Sequence, residues 1–386
     1  MIKIDKKDQC TGCGLCKIKC PYNAISFIED EEGFAYPVVN TEVCTDCGYC
    51  ERVCIKCKPL QDRSQYTIFA IISKDKEVQK GSSSGGAFSE IAKHVLDRGG
   101  CVYGVAWVSP TKARHICVDK IDDLDRLRKS KYVEASLCDE LFFDVQRRVQ
   151  SGVLTLFSGT PCQVMAMRQY VGDHANFITV EVACHGVPSR KIFEEFIKLA
   201  EAKYASHIVD VNFRSKYRGW DNFGTEITFE NGKKYRKINT IEPYYMRGFL
   251  TNMYLRPSCH NCQFKINTSE SDFILADYWR IDRKYTEFYD KEGVSLVVAK
   301  TDKAMKIIDS IKDNINMIET DSEFAKKVNS VLCCCNKENE KRSEFFQEYS
   351  VNGYEKAIKK YCRIGVVNKI LTQTGLKPLI RKILGR

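Results

Sequence analysis

Eight cysteines near the N-terminus fall on one ruler used twice. Cys10, Cys13, Cys16 and Cys20 are followed by Cys44, Cys47, Cys50 and Cys54, each 34 residues after its counterpart. The spacing Cys-x2-Cys-x2-Cys-x3-Cys aims three sulfurs from one tight loop and a fourth from just beyond it. That geometry suits the corners of an iron–sulfur cube better than a disulfide framework or two zinc sites. Gly12, Gly14 and Gly48 let the backbone wrap closely around such a group. Single-electron chemistry is the first expectation.

In paired runs of this kind the fourth cysteine of each run serves the other cluster. Cys10, Cys13, Cys16 and Cys54 are expected to hold one [4Fe–4S] cluster, and Cys20, Cys44, Cys47 and Cys50 a second. This is the ligand pattern of a bacterial two-cluster ferredoxin, expected over residues 1–60. The repeat is imperfect. Pro21 follows Cys20, but Ile55 follows Cys54, an extra cysteine stands at Cys57, and the proline is delayed to Pro59. Cys57 reads as a spare thiol of the exit loop or a ligand beyond the module, with replacement of Cys54 as the alternative.

A second set of thiols lies downstream. Cys162 sits in SGTPCQ (158–163) and Cys184 opens CHGVP (184–188), each just after an apolar strand, where open α/β sheets present ligand-binding groups. Cys259 and Cys262 form a Cys-x2-Cys pair. Together the four suffice for a third [4Fe–4S] cluster; a redox dithiol or half a zinc site are the alternatives for the pair. Cys101, Cys117 and Cys138 fall within regular patterns and read as small buried apolar residues. Cys333, Cys334 and Cys335 are consecutive, cannot converge on one cube, and are expected to leave iron content alone.

Other chemistry-bearing residues are fewer. Gly81-Ser82-Ser83-Ser84-Gly85-Gly86 runs into a helix at Ala87, and small residues before a helix N-terminus suit a flavin or nucleotide phosphate. A flexible connector is the equal alternative. There is no GxGxxG fingerprint or Walker loop. In RSKYRGWDNF (214–223), Arg214, Lys216 and Arg218 are suited to an anion and Trp220 to a planar ring, against an exposed cationic face and a core tryptophan. His185 is placed either to serve a reducing flavin or to cap the next helix. No Ser–His–Asp pattern or paired carboxylates support hydrolysis.

The elements that position these groups alternate. Strands are expected at Tyr66–Ser73, 101–108, 153–158 and 177–183, and helices from Ala87 to Leu96, Leu137 to Val149, Cys162 onward and Ser189 to Tyr204. HIVDVNF, TEITFE and KKYRKI add strands, the last two joined by Asn231-Gly232, a hairpin signal. The fold class expected is α+β/α/β. A two-cluster ferredoxin-like module precedes an α/β body with an antiparallel insertion, and a basic helical tail (346–386) follows.

With 386 residues, 44% of them hydrophobic and 28% charged, the chain reads as an ordinary globular protein. The start from Met1 to Cys10 has no apolar h-region and no run is long enough to span a bilayer, so a cytoplasmic setting is expected. Of the net charge of +10, residues 356–386 supply nine, which leaves the body nearly neutral and excludes nucleic acid as a partner. Two apolar stripes in the tail, Val366, Val367, Ile370 and Leu371, then Leu379, Ile380, Ile383 and Leu384, carry an expectation of peripheral contact with the inner membrane face. Packing on the body or on a partner is the alternative.

SSSGGAFSEIAKHVLDRGGCVYGVAW, LFSGTPCQV, ACHGVPS, NFRSKYRGW, RPSCHNCQFK and DFILADYWRI occur in an order that resembles the family of beta subunits of coenzyme F-420 hydrogenases and dehydrogenases. The resemblance covers residues 65 to 345. It implies an FAD-binding iron–sulfur fold, with Ser83, Ser84, Gly85 and Gly86 in the flavin region and Cys162, Cys184, Cys259 and Cys262 as the family's cysteine motifs. Asp277 and Trp279 match its acidic–aromatic motif, although Arg280 stands where glycine is common. Some relatives with such an N-terminal module are linked to cell-envelope polysaccharide synthesis. The function expected is a ferredoxin-linked, FAD-dependent oxidoreductase. It would take electrons from a redox protein or small-molecule donor and pass them through the clusters and FAD to an organic acceptor. The alternative is a non-catalytic electron-relay subunit of a larger redox complex.

Overall fold

The computed structural model describes residues 1–239 and 244–365. Among them, thirteen strands make three sheets: β1 Ile25–Glu29, β2 Ala35–Val39, β3 Thr67–Ser73, β4 Cys101–Ser109, β5 Lys112–Val118, β6 Thr155–Gly159, β7 Phe177–Val182, β8 Ile208–Ser215, β9 Gly224–Phe229, β10 Lys234–Ile238, β11 Phe273–Asp277, β12 Ser295–Ala299 and β13 Ile315–Glu319. The cysteine-rich module is a β1–β2 hairpin with two short helical turns, Leu15–Ile18 and Tyr49–Arg52. Each turn follows a glycine at positive φ, Gly14 at +79° and Gly48 at +66°, so the duplication in sequence is a duplication in backbone.

The body is built on an eight-stranded mixed sheet in the order β13-β3-β12-β11-β7-β6-β4-β5. β11, β7, β6 and β4 run parallel, and the outer pairings are antiparallel. The parallel strands are apolar on both faces because helices cover both. Val102, Leu156 and Ile178 meet Ile91 and Val95 of the helix Ala87–Leu96 and Ile307 and Ile308 of the helix Asp302–Ile311. Their alternates Cys101, Tyr103, Phe157 and Phe177 meet Phe142 and Val145 of Asp139–Gln150 and Val164 and Met165 of Pro161–Val171.

The expected antiparallel insertion is the sheet β10-β9-β8, with Gly232 at φ +77° closing its hairpin. It packs with the helices Arg190–Tyr204, Tyr244–Leu250, Arg342–Asn352 and Tyr354–Cys362 around Phe193, Phe213 and Tyr245. Chain beyond the insertion returns to the middle of the large sheet as β11 and β12, a rearrangement invisible to local periodicity. Tyr354, Ala357, Ile358 and Cys362 bury their side of the last described helix against the body. The two stripes at 366–384 lie outside the described residues. Among the described residues no helix is long and apolar enough to cross a membrane.

Two expectations need correction here. The helix expected from Leu137 begins at Asp139, and Cys138, its N-cap, is exposed and not a buried apolar filler. Cys117 is only half-buried, and Cys101 alone of the three is fully enclosed.

The module is fixed to the body. Leu15, Val53 and Ile55 share an apolar cluster with Met165 and Phe264. Arg190 pairs with Glu29, Lys17 with Asp139, and Arg342 with Glu32.

Candidate iron–sulfur centres

Within the module, the thiol of Cys13 is pushed up to about 12, chiefly by burial, with Cys10 and Cys54 contributing in the same direction. Cys16 is driven higher by burial, then by Cys13, Cys10 and Cys54. These four thiols therefore lie near enough to act on one another, the fourth drawn from the second run. Cys20, Cys44, Cys47 and Cys50 line a separate cavity beside Tyr22 and Tyr49, with Cys47 exposed. Backbone N–H groups already aim at sulfurs: Gly12 at Cys10 (3.4 Å), Ile2 at Cys50 (3.1 Å) and Ala24 at Cys20 (3.4 Å). Cys57 is exposed, with its thiol beside that of Cys54.

Cys162, Cys184, Cys259 and Cys262 line one cavity in the body. The neighbouring ends of β6 and β7 supply the first two. Thr160 caps the helix after β6 with a capping box and Pro161 opens it, which sets Cys162 in the first turn. Cys184 lies two residues past β7. Cys259 ends the 3-10 turn Pro257–Cys259. A bridge between Pro188 and Leu255, and the Arg256 N–H donating to the Val187 carbonyl at 2.8 Å, hold these two loops together. Burial pushes the Cys162 thiol up to about 11 and that of Cys259 up to about 12. Cys184 is raised well above the ordinary thiol by burial, then by Cys259, Cys162 and Cys262. The Val187 N–H lies 3.3 Å from the Cys259 sulfur. Thr11 and Lys56 of the N-terminal module line the same cavity, so the first and third quartets are neighbours.

The donor sets fit clusters better than single ions. A single zinc would need all four sulfurs about 2.3 Å from one point. Among the described residues no group of three or more His, Cys, Asp or Glu is placed to hold one metal ion. All-thiol quartets spread around a cavity, with N–H donors on the sulfurs, are the environment a [4Fe–4S] cluster uses.

The glycine–serine stretch has packing duties of its own. A Cβ on Gly85 would fall 2.2 Å from the Ile71 carbonyl and 2.7 Å from the Ser295 nitrogen, so its size serves packing between β3 and β12. Gly86, at φ +96°, is also buried, and the Ala87 N–H at the helix start faces the Ser295 hydroxyl at 3.4 Å. Ser84 donates to the Val294 carbonyl at 2.6 Å, and the Ser83 and Ser130 hydroxyls meet at 3.3 Å. Beside this stretch, Gly81 and Ser82 open onto a cavity of about 370 Å³ lined by Lys80, Arg128, Lys129, Arg214 and Lys216, with only Glu77 and Asp125 as anions. Burial holds Lys216 down at about 8, and its ammonium donates to the carbonyls of Gln79 (2.9 Å) and Ser84 (3.2 Å).

Trp220 is fully buried, and its indole N–H donates to Asp277 at 2.7 Å. It stacks on Trp279 with centroids 5.0 Å apart and planes 10° apart. Arg214 pairs with Asp277 and lies over the Phe223 ring at 3.8 Å. The acidic–aromatic motif thus braces the insertion against the main sheet. Arg280 has φ +57°, the left-handed region glycine favours, so the backbone at this position suits glycine better than the arginine it carries. Nε2 of His185 is 3.2 Å from the Phe249 carbonyl oxygen, and Ser189 caps the helix after it.

Arg256, Thr11 and Lys56, and the cations Lys80, Arg128 and Lys129, had no part in the reading from sequence. Arg256 precedes a Cys-x2-Cys pair, but nothing in spacing marks an arginine as buried. The basic cavity gathers residues from three distant segments.

Residues 68–142 and 154–323 match the N-terminal and C-terminal models of the coenzyme F420 hydrogenase/dehydrogenase beta subunit, and residues 9–56 match a 4Fe-4S dicluster domain. One of the subunits of the F(420)H(2) dehydrogenase of Methanosarcina mazei is 22% identical over 364 residues, covering 90% of this chain and 94% of that protein. A chain of the F420-reducing [NiFe] hydrogenase complex from Methanosarcina barkeri, solved with xenon, is 15% identical. It covers 71% of this chain and 93% of its own length, with a TM-score of 0.47.

Proposed function

Because the chain belongs to the family of coenzyme F420 hydrogenase/dehydrogenase beta subunits, with a 4Fe-4S dicluster domain at its N-terminal end, we propose that it is the electron-relay subunit of a larger oxidoreductase. The observation that carries this is the adjacency of the quartets: Thr11 and Lys56 of the module stand in the wall of the cavity formed by Cys162, Cys184, Cys259 and Cys262. Cys10, Cys13, Cys16 and Cys54 would hold one centre, Cys20, Cys44, Cys47 and Cys50 another, and the body quartet a third. When bound, [4Fe–4S] clusters supply one-electron storage. The chain's own part is to hold thiolates in place, donate N–H groups to sulfur and keep water from the inner sites. The half-open second quartet, with Cys47 exposed, suits contact with a redox partner protein. The name of the Methanosarcina mazei relative supports a multi-subunit setting and a deazaflavin-type coenzyme somewhere in it.

A second reading keeps an organic acceptor on this chain. Its support is the basic cavity beside Ser82, whose five cations suit the phosphate of FAD or of a deazaflavin coenzyme. A role in polysaccharide synthesis draws no support from the relatives.

The relay is tested by anaerobic purification and reconstitution. About twelve iron atoms per chain are expected from three four-iron centres. Cys259→Ser with Cys262→Ser should remove about four of them, and Cys333→Ser with Cys334→Ser none. Full iron retention in the first pair removes the body centre. Titration of the holoprotein with FAD and with a deazaflavin coenzyme separates the two readings, since a pure relay binds neither.

A further inference from the structure

Arg256 is a full positive charge enclosed at the seam between module and body. Its side chain is 1% exposed. Nε donates to the Cys10 carbonyl at 3.0 Å, and the two terminal nitrogens reach the Ala35 carbonyl and, at 3.2 Å, the Glu134 carboxylate. The guanidinium lies 4.8 Å from the centroid of the Tyr36 ring. Gly12, at φ +71°, is pressed so closely that a Cβ there would fall 2.7 Å from the guanidinium. The backbone N–H of Arg256 fastens the Val187 carbonyl, and its own carbonyl accepts from the Cys259 N–H at 2.9 Å.

Arg256 is thus bonded to one ligand loop of each centre, to Cys10 of the first quartet through Nε and to Cys259 of the third through its own carbonyl. Glu134 meets only one terminal nitrogen of the guanidinium, at 3.2 Å, so it offsets part of the charge that Arg256 brings to the Cys10 loop at Nε. A cube with four thiolates is anionic, and reduction adds another negative charge. A buried cation stabilises the reduced form more than the oxidised form, most strongly where water is excluded.

We propose that Arg256 is a positioning residue shared by two neighbouring iron–sulfur centres, holding the reduction potentials of both upward while Glu134 partly offsets it. This rests on the reading that the first and third quartets hold clusters. The step it governs is a one-electron reduction in which no bond forms or breaks.

The test is a redox titration of the full-length, anaerobically reconstituted protein with dithionite as reductant. Electron paramagnetic resonance follows each centre and iron is counted in parallel. Arg256→Met should make reduction of the first and third centres at least tenfold less favourable, which is about 59 mV for one electron. The centre at Cys20, Cys44, Cys47 and Cys50 should not move. Arg256→Lys should keep most of the effect, and Glu134→Gln should shift the same two centres the opposite way. Unchanged potentials in Arg256→Met, equal shifts in all three centres, or a downward shift in Glu134→Gln would overturn the proposal. Should Arg256→Met fail to hold iron, the Lys and Gln variants carry the same decision. Fewer than about eight iron atoms in the parent protein would overturn the cluster reading beneath it.

Discussion

Arg342, near the end of the described chain, grips both carboxylate oxygens of Glu32 in the turn of the N-terminal hairpin, across 310 residues. Both side chains are nearly buried, and Arg342 also donates to the Leu255 carbonyl at 3.2 Å. Removing one partner strands the other charge. Arg342→Met should cost about 3 kcal/mol, seen as a lower midpoint in anaerobic urea unfolding. Adding Glu32→Gln should restore part of the loss, because the cost is the orphaned carboxylate. An undiminished midpoint in the single variant refutes the account.

Gly85 and Gly81 separate packing from ligand contact. Gly85→Ala forces a methyl into the Ile71 carbonyl and should destabilise by about 3 kcal/mol or more. In Gly81→Ala the new Cβ meets only the Arg128 guanidinium at 3.4 Å, an ordinary contact, so stability should change by under about 0.5 kcal/mol. Thermal unfolding of both variants decides; equal losses would contradict the geometry.

Arg280→Gly should stabilise the protein. A non-glycine residue at φ +57° carries about 1 kcal/mol of strain, partly cancelled by the greater unfolded-state freedom of glycine. A gain of up to about 1 kcal/mol is expected in chemical denaturation, and a loss would show that the arginine side chain has a use of its own.

His115 is held neutral. Burial lowers it to about 4, its Nε2–H donates to the Ser158 carbonyl at 3.2 Å, and its ring stacks on Phe157. Between that value and an unfolded value near 6.5, the unfolded chain binds the extra proton, so stability rises with pH through this window and is lost as pH falls. Between pH 7 and pH 5 the loss should be about 2 kcal/mol. His115→Phe should flatten this dependence in urea unfolding at the two pH values; an unchanged slope would place the titration elsewhere.

Much of this was legible from sequence because the signals are local. The two cysteine runs, the apolar strands at 153–158 and 177–183 and the hairpin at Asn231-Gly232 each announce themselves within one short stretch. Cys162 and Cys184 could be brought together because each follows a strand, and parallel neighbours end side by side. Arg256 and the basic cavity were not legible, because their meaning lies in which distant segments surround them. The packing role of Gly85 was hidden for a related reason: a small residue looks alike whether a ligand or a strand approaches it. Cys138 misled because a helix cap and a core position differ by one residue of register.

The place of β3 constrains how the molecule can be made. It lies between β12 and β13, so Thr67–Ser73 must wait for partners about 220 residues further along. At ribosomal rates of about 5 to 20 residues per second, that strand spends on the order of ten seconds or more as an apolar edge with nothing to pair. Glu32 waits longer still for Arg342. The N-terminal module can therefore close early, but the surface it docks on exists only near the end of synthesis. The chain emerges as a finished small piece tethered to an unfinished large one, and chaperone cover is needed most over residues 67–73.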